Sequence, residues 1–132
     1  MGSDPRVPSV PELPVLTETE RSCLERYVEL LVDTLGPNLV EVAVFGSVAR
    51  GESWPRGMPI RSDLDLLVVT DEAVSREVAG SLVEATLPLF LESGRQIGPQ
   101  FKSRAELVRQ TSEREARFLE DVAREAVRIW ER

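Results

Sequence analysis

The sequence reads FGSVARG from Phe45 to Gly51 and SDLDLLVV from Ser62 to Val69, and the other predicted elements are organised around these two stretches. The first is a turn bounded by glycines at the end of an apolar run. The second opens another apolar run with two carboxylates two residues apart. Glycine lets a backbone approach a ligand closely, a hydroxyl can donate to a phosphate, and paired carboxylates suit a divalent cation. Together the stretches predict a site for a metal-bound nucleoside triphosphate.

The apolar runs beside these motifs predict two strands. Leu39–Phe45 is nearly all apolar and too short for a typical buried helix, which favours a buried strand. Asp63–Thr70 is the second candidate, with an interior that is apolar on both faces. Because successive side chains of a strand alternate, Asp63 and Asp65 should point one way and Leu64 should point into the core.

Helical spacing of apolar residues surrounds this strand pair. Thr17–Leu35 predicts a first helix, because Thr17 and Glu20 form a capping box and Gly36-Pro37 follows as a stop. A second helical pattern covers residues 71–89, with Asp71 as its predicted cap and Pro88 as a residue that kinks or shortens it. Between the strands, residues 47–50 predict a short helix and residues 52–61 a loop.

The last third of the chain predicts an edge strand and two helices. Residues 96–102 form the third strand candidate, placed at an edge or made irregular by Gly98-Pro99. Ser103 with Glu106, and Ser112 with Glu115, are capping boxes that open the two helices. The final helix is predicted from an apolar stripe at helical spacing: Leu119, Val122, Ala123, Ala126, Val127 and Trp130. That stripe is expected to pack on the core, with docking of a partner as the alternative.

The predicted order is therefore α-β-α-β-α-β-α-α. It indicates an α/β fold with a small mixed sheet of about three strands flanked by helices. Residues 16–132 are expected to form one domain. Residues 1–15 carry a proline at every third position from Pro5 to Pro14, which predicts an extended arm and forbids a helix.

The composition of the chain excludes several kinds of site and partner. The chain has 132 residues, a formal charge of -7 and no histidine. The acidic balance argues against nucleic acid as a partner, and the lack of histidine excludes histidine-based catalysis and histidine-based zinc sites within this chain. A single cysteine, Cys23, cannot form an internal disulfide. No apolar run is long enough to span a membrane and no signal pattern opens the sequence, so a cytoplasmic protein is expected.

The combination of motifs resembles a known family. Gly46–Gly51 and Ser62–Asp65 look like the signature of the nucleotidyltransferase superfamily related to DNA polymerase beta. The small size resembles its minimal nucleotidyltransferase branch, whose members are often paired with HEPN-domain toxins. The resemblance implies a nucleotidyltransferase fold and transfer of a nucleoside monophosphate, with AMP from ATP as the expected case, to an acceptor. In that branch the acceptor is commonly the partner toxin, and pyrophosphate is released.

The same resemblance assigns roles to six residues. Asp63 and Asp65 would be the catalytic pair and would ligate Mg²⁺. Nucleotide or phosphate binding would fall to Gly46, Ser47, Arg50 and Ser62. Gly46 and Ser47 would hold the triphosphate, whereas Arg50 would be a secondary phosphate contact or a structural one.

One departure from the family pattern concerns catalysis. The family usually supplies a third carboxylate from the next strand, but residues 95–102 contain no acid. Alignment on Ser103 places the missing acid near Gly98, and Glu92 lies too early to replace it. Three hypotheses about function stay open: an enzyme that modifies a partner protein, a module that neutralises a partner by binding, and a generic small α/β domain. A domain of this size closes one side of a nucleotide cleft, so a partner or a second copy would supply the other wall.

Overall fold

A four-stranded mixed sheet forms the centre of the molecule. The computed structural model describes residues 16–46, 63–109, 117, 120, 124 and 126–132. In spatial order the strands are β3 (Ile97–Ser103), β2 (Leu64–Thr70), β1 (Leu39–Phe45) and β4 (Val127–Glu131). β2 runs parallel to β3, while β1 is antiparallel to both β2 and β4. The predicted mixed α/β fold class is confirmed, with one more strand than expected.

The helices begin largely where the capping signals predicted. They are α1 (Glu18–Leu35), α2 (Arg76–Glu84), α3 (Thr86–Ser93) and α4 (Arg104–Val108), and a 3₁₀ turn (Gly36–Asn38) follows α1. The hydroxyl of Thr17 accepts from the backbone N–H of Glu20, and the Glu20 carboxylate accepts from the N–H of Thr17. Ser103 caps α4 by accepting from the N–H of Glu106. Both of these predicted caps are confirmed.

The helical segment after β2 differs from the prediction at its start. The cap of α2 is Ser75, whose hydroxyl accepts from the N–H of Val78, and the prediction of Asp71 was wrong. Asp71 lies four residues before Ser75, too far from the helix to cap it, and its carboxylate pairs with Arg104 at 3.3 Å. The helix also divides at Ala85, so Pro88 falls in the first turn of α3, where a missing N–H is tolerated.

The end of the chain requires the largest correction. Residues 127–131 form strand β4 against β1, where the sequence predicted a continuing helix. Trp130 pairs with Val42 and Arg128 pairs with Ala43, so Ile129 is the extra residue of a β-bulge. Ile129 and Trp130 are both buried in the same core cluster. The bulge therefore removes the alternation by which a strand is usually recognised. Ala126, Val127 and Trp130 pack on the apolar clusters as the predicted stripe required, although 127–131 form a strand and not a helix.

The main core lies between the sheet and the first three helices. Every second residue of β2, namely Leu64, Leu66 and Val68, packs there with α1 residues such as Tyr27. The Tyr27 hydroxyl donates to the carbonyl oxygen of Leu82 at 2.8 Å, which ties α1 to α2. The opposite face of the sheet carries a smaller apolar cluster centred on Phe45, Leu67 and Val69. The predicted alternation of β2 is thus confirmed.

Several predictions fall on residues outside the described ranges. These are the arm at residues 1–15, the short helix at 47–50, the loop at 52–61 and the cap formed by Ser112 and Glu115. Within the described ranges, no helix combines the length and the apolar character that a membrane span requires.

Candidate functional site

Gly46 ends β1 in a backbone conformation that favours glycine. Its φ angle is +76°, in the left-handed region where a Cβ atom would be strained. The residue before it, Phe45, pairs with Asp65 of β2. The turn after β1 and the acidic start of β2 therefore lie side by side, as the sequence predicted.

The Asp65 carboxylate lies over the backbones of two glycines on the neighbouring strands. Asp65 pairs with Gly98 in the parallel β2–β3 ladder. A Cβ atom built on Gly46 would approach Oδ2 of Asp65 to 2.6 Å, and one built on Gly98 would lie 3.5 Å from Oδ1. Gly46 therefore leaves space that the carboxylate occupies, whereas a Cβ atom at Gly98 would make only an ordinary contact with it.

The two aspartates of the motif influence each other electrostatically. Asp63 is exposed immediately before β2, and Asp65 is half-buried within it. Burial raises the pKa of Asp65 above its ordinary value, and the charge of Asp63 raises it further. A cation placed between the carboxylates would offset this repulsion. Two carboxylates are also donors that suit Mg²⁺, which completes its shell with water and phosphate oxygens. The residues present therefore fit the predicted metal.

A third carboxylate is missing from the described part of the site. β3 contains no acid, and its Gly98 is in register with Asp65, where the sequence comparison placed the absent group. Glu92 forms an ion pair with Arg26 of α1, so its carboxylate is engaged elsewhere. Across the described residues, no three acidic, histidine or cysteine side chains come together as a metal cluster. The acid pair therefore stands without a third member in this part of the chain.

Contacts that hold β3 beside the acid pair were not predicted from the sequence. The carbonyl oxygen of Gln96 accepts from the N–H of Leu64 at 2.8 Å, at the start of the parallel ladder. The buried side chains of Arg95 and Glu20 form an ion pair at 3.7 Å, which joins the first turn of α1 to this segment. Sequence patterns identified Glu20 only as a capping residue, because local patterns do not predict an ion pair with a residue that is distant in sequence.

Three of the predicted site residues cannot be placed. Ser47, Arg50 and Ser62 lie outside the described residues. The structure brings together Gly46, Asp65 and Gly98, and it places Asp63 next to them along the chain. Gly98 was predicted only as the location of an absent acid. A glycine inside a strand is a signal of close approach by another group, and here that group is Asp65.

Comparison with known proteins adds family information to this geometry. Residues 25–128 match a family model described as a nucleotidyltransferase domain. A solved structure described as a proposed minimal nucleotidyltransferase is 32% identical, with 83% of this chain and 92% of that chain covered and a TM-score of 0.50. No curated protein sequence matches the chain.

Two structures of variants of the toxin–antitoxin pair MntA–HpeT share the fold. One matches with a TM-score of 0.53 at 13% identity, covering 81% of this chain and 72% of that chain. The other matches with a TM-score of 0.51 at 17% identity, covering 82% and 72%. At these identities the similarity concerns the fold alone.

Proposed function

The chain belongs to the nucleotidyltransferase domain family, and from this membership we propose that it binds a magnesium-complexed nucleoside triphosphate at Gly46, Asp63 and Asp65. One observation carries the proposal: the Asp65 carboxylate lies against the Gly46 turn, with its Oδ2 in the space that a side chain would otherwise fill. This contact joins the part of the site suited to phosphate to the part suited to a cation.

The proposed roles follow from the chemistry of each group. Asp63 and Asp65 would hold Mg²⁺, which supplies charge neutralisation for the phosphates when it is bound. The absence of a side chain at Gly46 lets the Asp65 carboxylate, and the cation it would hold, lie against the turn where the triphosphate would bind. Ser47, Ser62 and Arg50 complete the proposal as phosphate contacts, because hydroxyls and a guanidinium donate hydrogen bonds to phosphate oxygens.

The proposed reaction is transfer of AMP from ATP to a hydroxyl group of a partner protein. The acceptor oxygen forms a bond to the α-phosphorus, and the bond from that phosphorus to the bridging oxygen breaks. Pyrophosphate leaves with the electron pair, and the acceptor proton passes to a base. A HEPN-type toxin is the proposed partner, which would make this chain the antitoxin. Support comes from the fold shared with the toxin–antitoxin structures.

Transfer of label from α-labelled ATP tests this proposal. The protein is co-expressed with the product of its neighbouring gene, and label on either chain is measured with and without Mg²⁺. We expect Asp65→Asn to reduce incorporation at least about 100-fold, because a charge that positions the reacting phosphate is lost.

Asp71→Asn is the matched control, since Asp71 is an exposed acid just beyond the other end of β2. It should incorporate label like the natural sequence. Equal incorporation by the Asp65→Asn and Asp71→Asn variants would contradict the proposed site.

A second candidate function is neutralisation of the partner by binding, without efficient catalysis. The glycine at position 98 favours it, because this residue stands beside Asp65 where a third carboxylate is expected. If the partner is masked, an Asp63→Ala/Asp65→Ala double variant still neutralises it. If transfer is required, that variant loses neutralisation although it still binds.

Gly98→Asp distinguishes a weak catalyst from a binding module. A Cβ atom at this position lies 3.5 Å from Asp65 Oδ1, an ordinary contact distance, so the backbone at position 98 accepts a Cβ atom. A general base contributes about 10²–10⁴-fold to rate, so a catalyst that lacks only this base should gain at least tenfold in transfer. Gly98→Ala adds the Cβ without the carboxylate and should show no gain.

A further inference from the structure

The outer side of α2 and α3 carries a row of exposed apolar side chains. We call it the α3 stripe, and its members are Val83, Leu87, Phe90 and Leu91, with 48, 57, 37 and 74% of their surface exposed. Within α3, the spacing of Leu87, Phe90 and Leu91 places them on one side of the helix, and Val83 lies in the last turn of α2 just before it. Two further large apolar residues in the described ranges are exposed, and they lie on other helices. A concentrated apolar surface of this kind marks a binding face.

The sequence before α1 has a matching periodicity. Residues 7–15 read VPS-VPE-LPV, so an apolar residue recurs at Val7, Val10 and Leu13, each followed by proline. A polyproline II helix has three residues per turn, which would align these three side chains along one edge. The next residue in the three-residue repeat is Leu16, which is only 6% exposed and belongs to the main core. The three-residue repeat of apolar side chains therefore ends at Leu16, which packs in the core of the domain.

Contacts of the first turns of α1 indicate where Leu16 lies relative to α3. In the next turns of α1, the Cys23 thiol lies 3.8 Å from the carbonyl oxygen of Leu89 in α3. Glu20 pairs with Arg95, which follows the end of α3. Leu16 and Leu89 also belong to the same apolar cluster. The chain that precedes Leu16 thus begins beside the C-terminal end of α3.

The length of that chain is sufficient to cover the stripe. At about 3.1 Å per residue, Leu13 lies about 9 Å and Val7 about 28 Å along the chain from Leu16. At about 1.5 Å per residue, α3 and the last turn of α2 together span less than 20 Å. The prolines also restrict the free chain, which lowers the conformational entropy lost on docking.

We infer that residues 7–13 dock in an extended conformation along the α3 stripe of the same chain, with Val7, Val10 and Leu13 facing it. The arm is then a strap anchored by Leu16 rather than a tail. This inference does not depend on the proposed nucleotide chemistry, because none of its residues belongs to that site.

Site-specific photocrosslinking in the full chain tests the strap. Benzoylphenylalanine at position 10 should crosslink to the α3 peptide within a single chain, at least fivefold more than the same probe at position 9. Ser9 is the matched position because it lies on another edge of a three-residue repeat. A crosslink between two copies, to a co-purified protein, or to a different part of the chain would overturn the inference.

A pair of surface variants tests whether the stripe is the docking face. Leu91→Glu should reduce the position-10 crosslink at least fivefold, because it places a charge in the apolar stripe. Val108→Glu is the control, since Val108 is 82% exposed on α4, outside the stripe. Circular dichroism should show both variants folded, as both positions face solvent. An equal yield in the two variants would overturn the assignment of this face.

Discussion

The two faces of strand β2 differ in what they do for the protein. Leu64, Leu66 and Val68 are buried against the helices and contribute apolar contacts to the main core. On the opposite face, the same strand carries Asp65, whose charge is unfavourable in the folded protein because burial and Asp63 raise its pKa. Because successive side chains of β2 point to opposite faces of the sheet, residues that stabilise the core and the residue proposed to bind a metal lie next to each other in sequence.

The contrast is confined to one end of the strand. Beyond Asp65, the opposite face continues with Leu67 and Val69, which pack with Phe45 in the second apolar cluster. The polar site thus occupies the edge where β1 ends and where β2 and β3 begin. Changes on the helix-covered face should mainly alter stability, whereas changes around Asp65 should mainly alter binding.

Leu66→Ala should have the largest effect on stability. Leu66 is fully buried in the main core, so truncation leaves a cavity and should lower the free energy of unfolding by about 3 kcal/mol. Urea denaturation measures this, and Val108→Ala is the control because that valine is 82% exposed on α4. The control should change the free energy by less than about 0.5 kcal/mol. A similar loss in both variants would break the distinction between core and surface.

Gly46→Ala should impair both stability and binding. The left-handed φ angle should cost about 1–2 kcal/mol, and the new Cβ would displace the Asp65 carboxylate from its position 2.6 Å away. Gly94→Ala is the control, because Gly94 has the same φ of +76° and nothing within 4 Å of a Cβ. We expect comparable backbone strain in both variants, and loss of nucleotide binding only in Gly46→Ala. Equal binding by the two would show that the Gly46–Asp65 contact is unimportant.

Tyr27→Phe should have a smaller effect, restricted to the helix-covered face. The variant removes a buried hydrogen bond to the Leu82 carbonyl oxygen and should lower the free energy of unfolding by about 1 kcal/mol. Burial also raises the pKa of Tyr27, so its hydroxyl stays protonated and continues to donate. Nucleotide affinity should be unchanged in calorimetry, and an altered affinity would show that the two faces are coupled.

Asp65→Asn should change stability least, and in the opposite direction. Because folding raises the pKa of Asp65, its contribution to stability is present at low pH and is lost as the pH rises through the folded value. In the absence of metal, the asparagine variant should melt at a higher temperature than the natural sequence at pH 7. The difference should shrink as the pH is lowered and the aspartate becomes protonated. A lower melting temperature at pH 7 would mean that the charge stabilises the fold.

The contrast between the faces was predictable from sequence because it depends on local alternation. Once the segment is recognised as a strand, alternation places Leu64 on one face and both Asp63 and Asp65 on the other. The capping boxes at Thr17 and Ser103 were equally local, and both are confirmed. Alignment placed the missing third carboxylate near Gly98, and the parallel register of β2 and β3 pairs that residue with Asp65.

Features that depend on distant pairing were not predictable in the same way. The spacing of Val127 and Trp130 fits a helix, yet hydrogen bonding with the edge of β1 makes the segment a strand. The bulge at Ile129 hid the strand pattern, because two successive residues face the same core. Asp71 and Ser75 are both suitable capping residues, and the chain path after β2 determines which one lies next to α2.

Isothermal calorimetry with ATP and Mg²⁺ tests the central claim most directly. The natural sequence should bind ATP in the presence of Mg²⁺ and much more weakly in EDTA. Asp65→Asn should weaken the Mg²⁺-dependent binding at least tenfold, while Asp71→Asn should leave it unchanged. Binding that is independent of Mg²⁺, or equally strong in the Asp65→Asn variant, would contradict a metal–nucleotide site at the Gly46 turn and the paired aspartates.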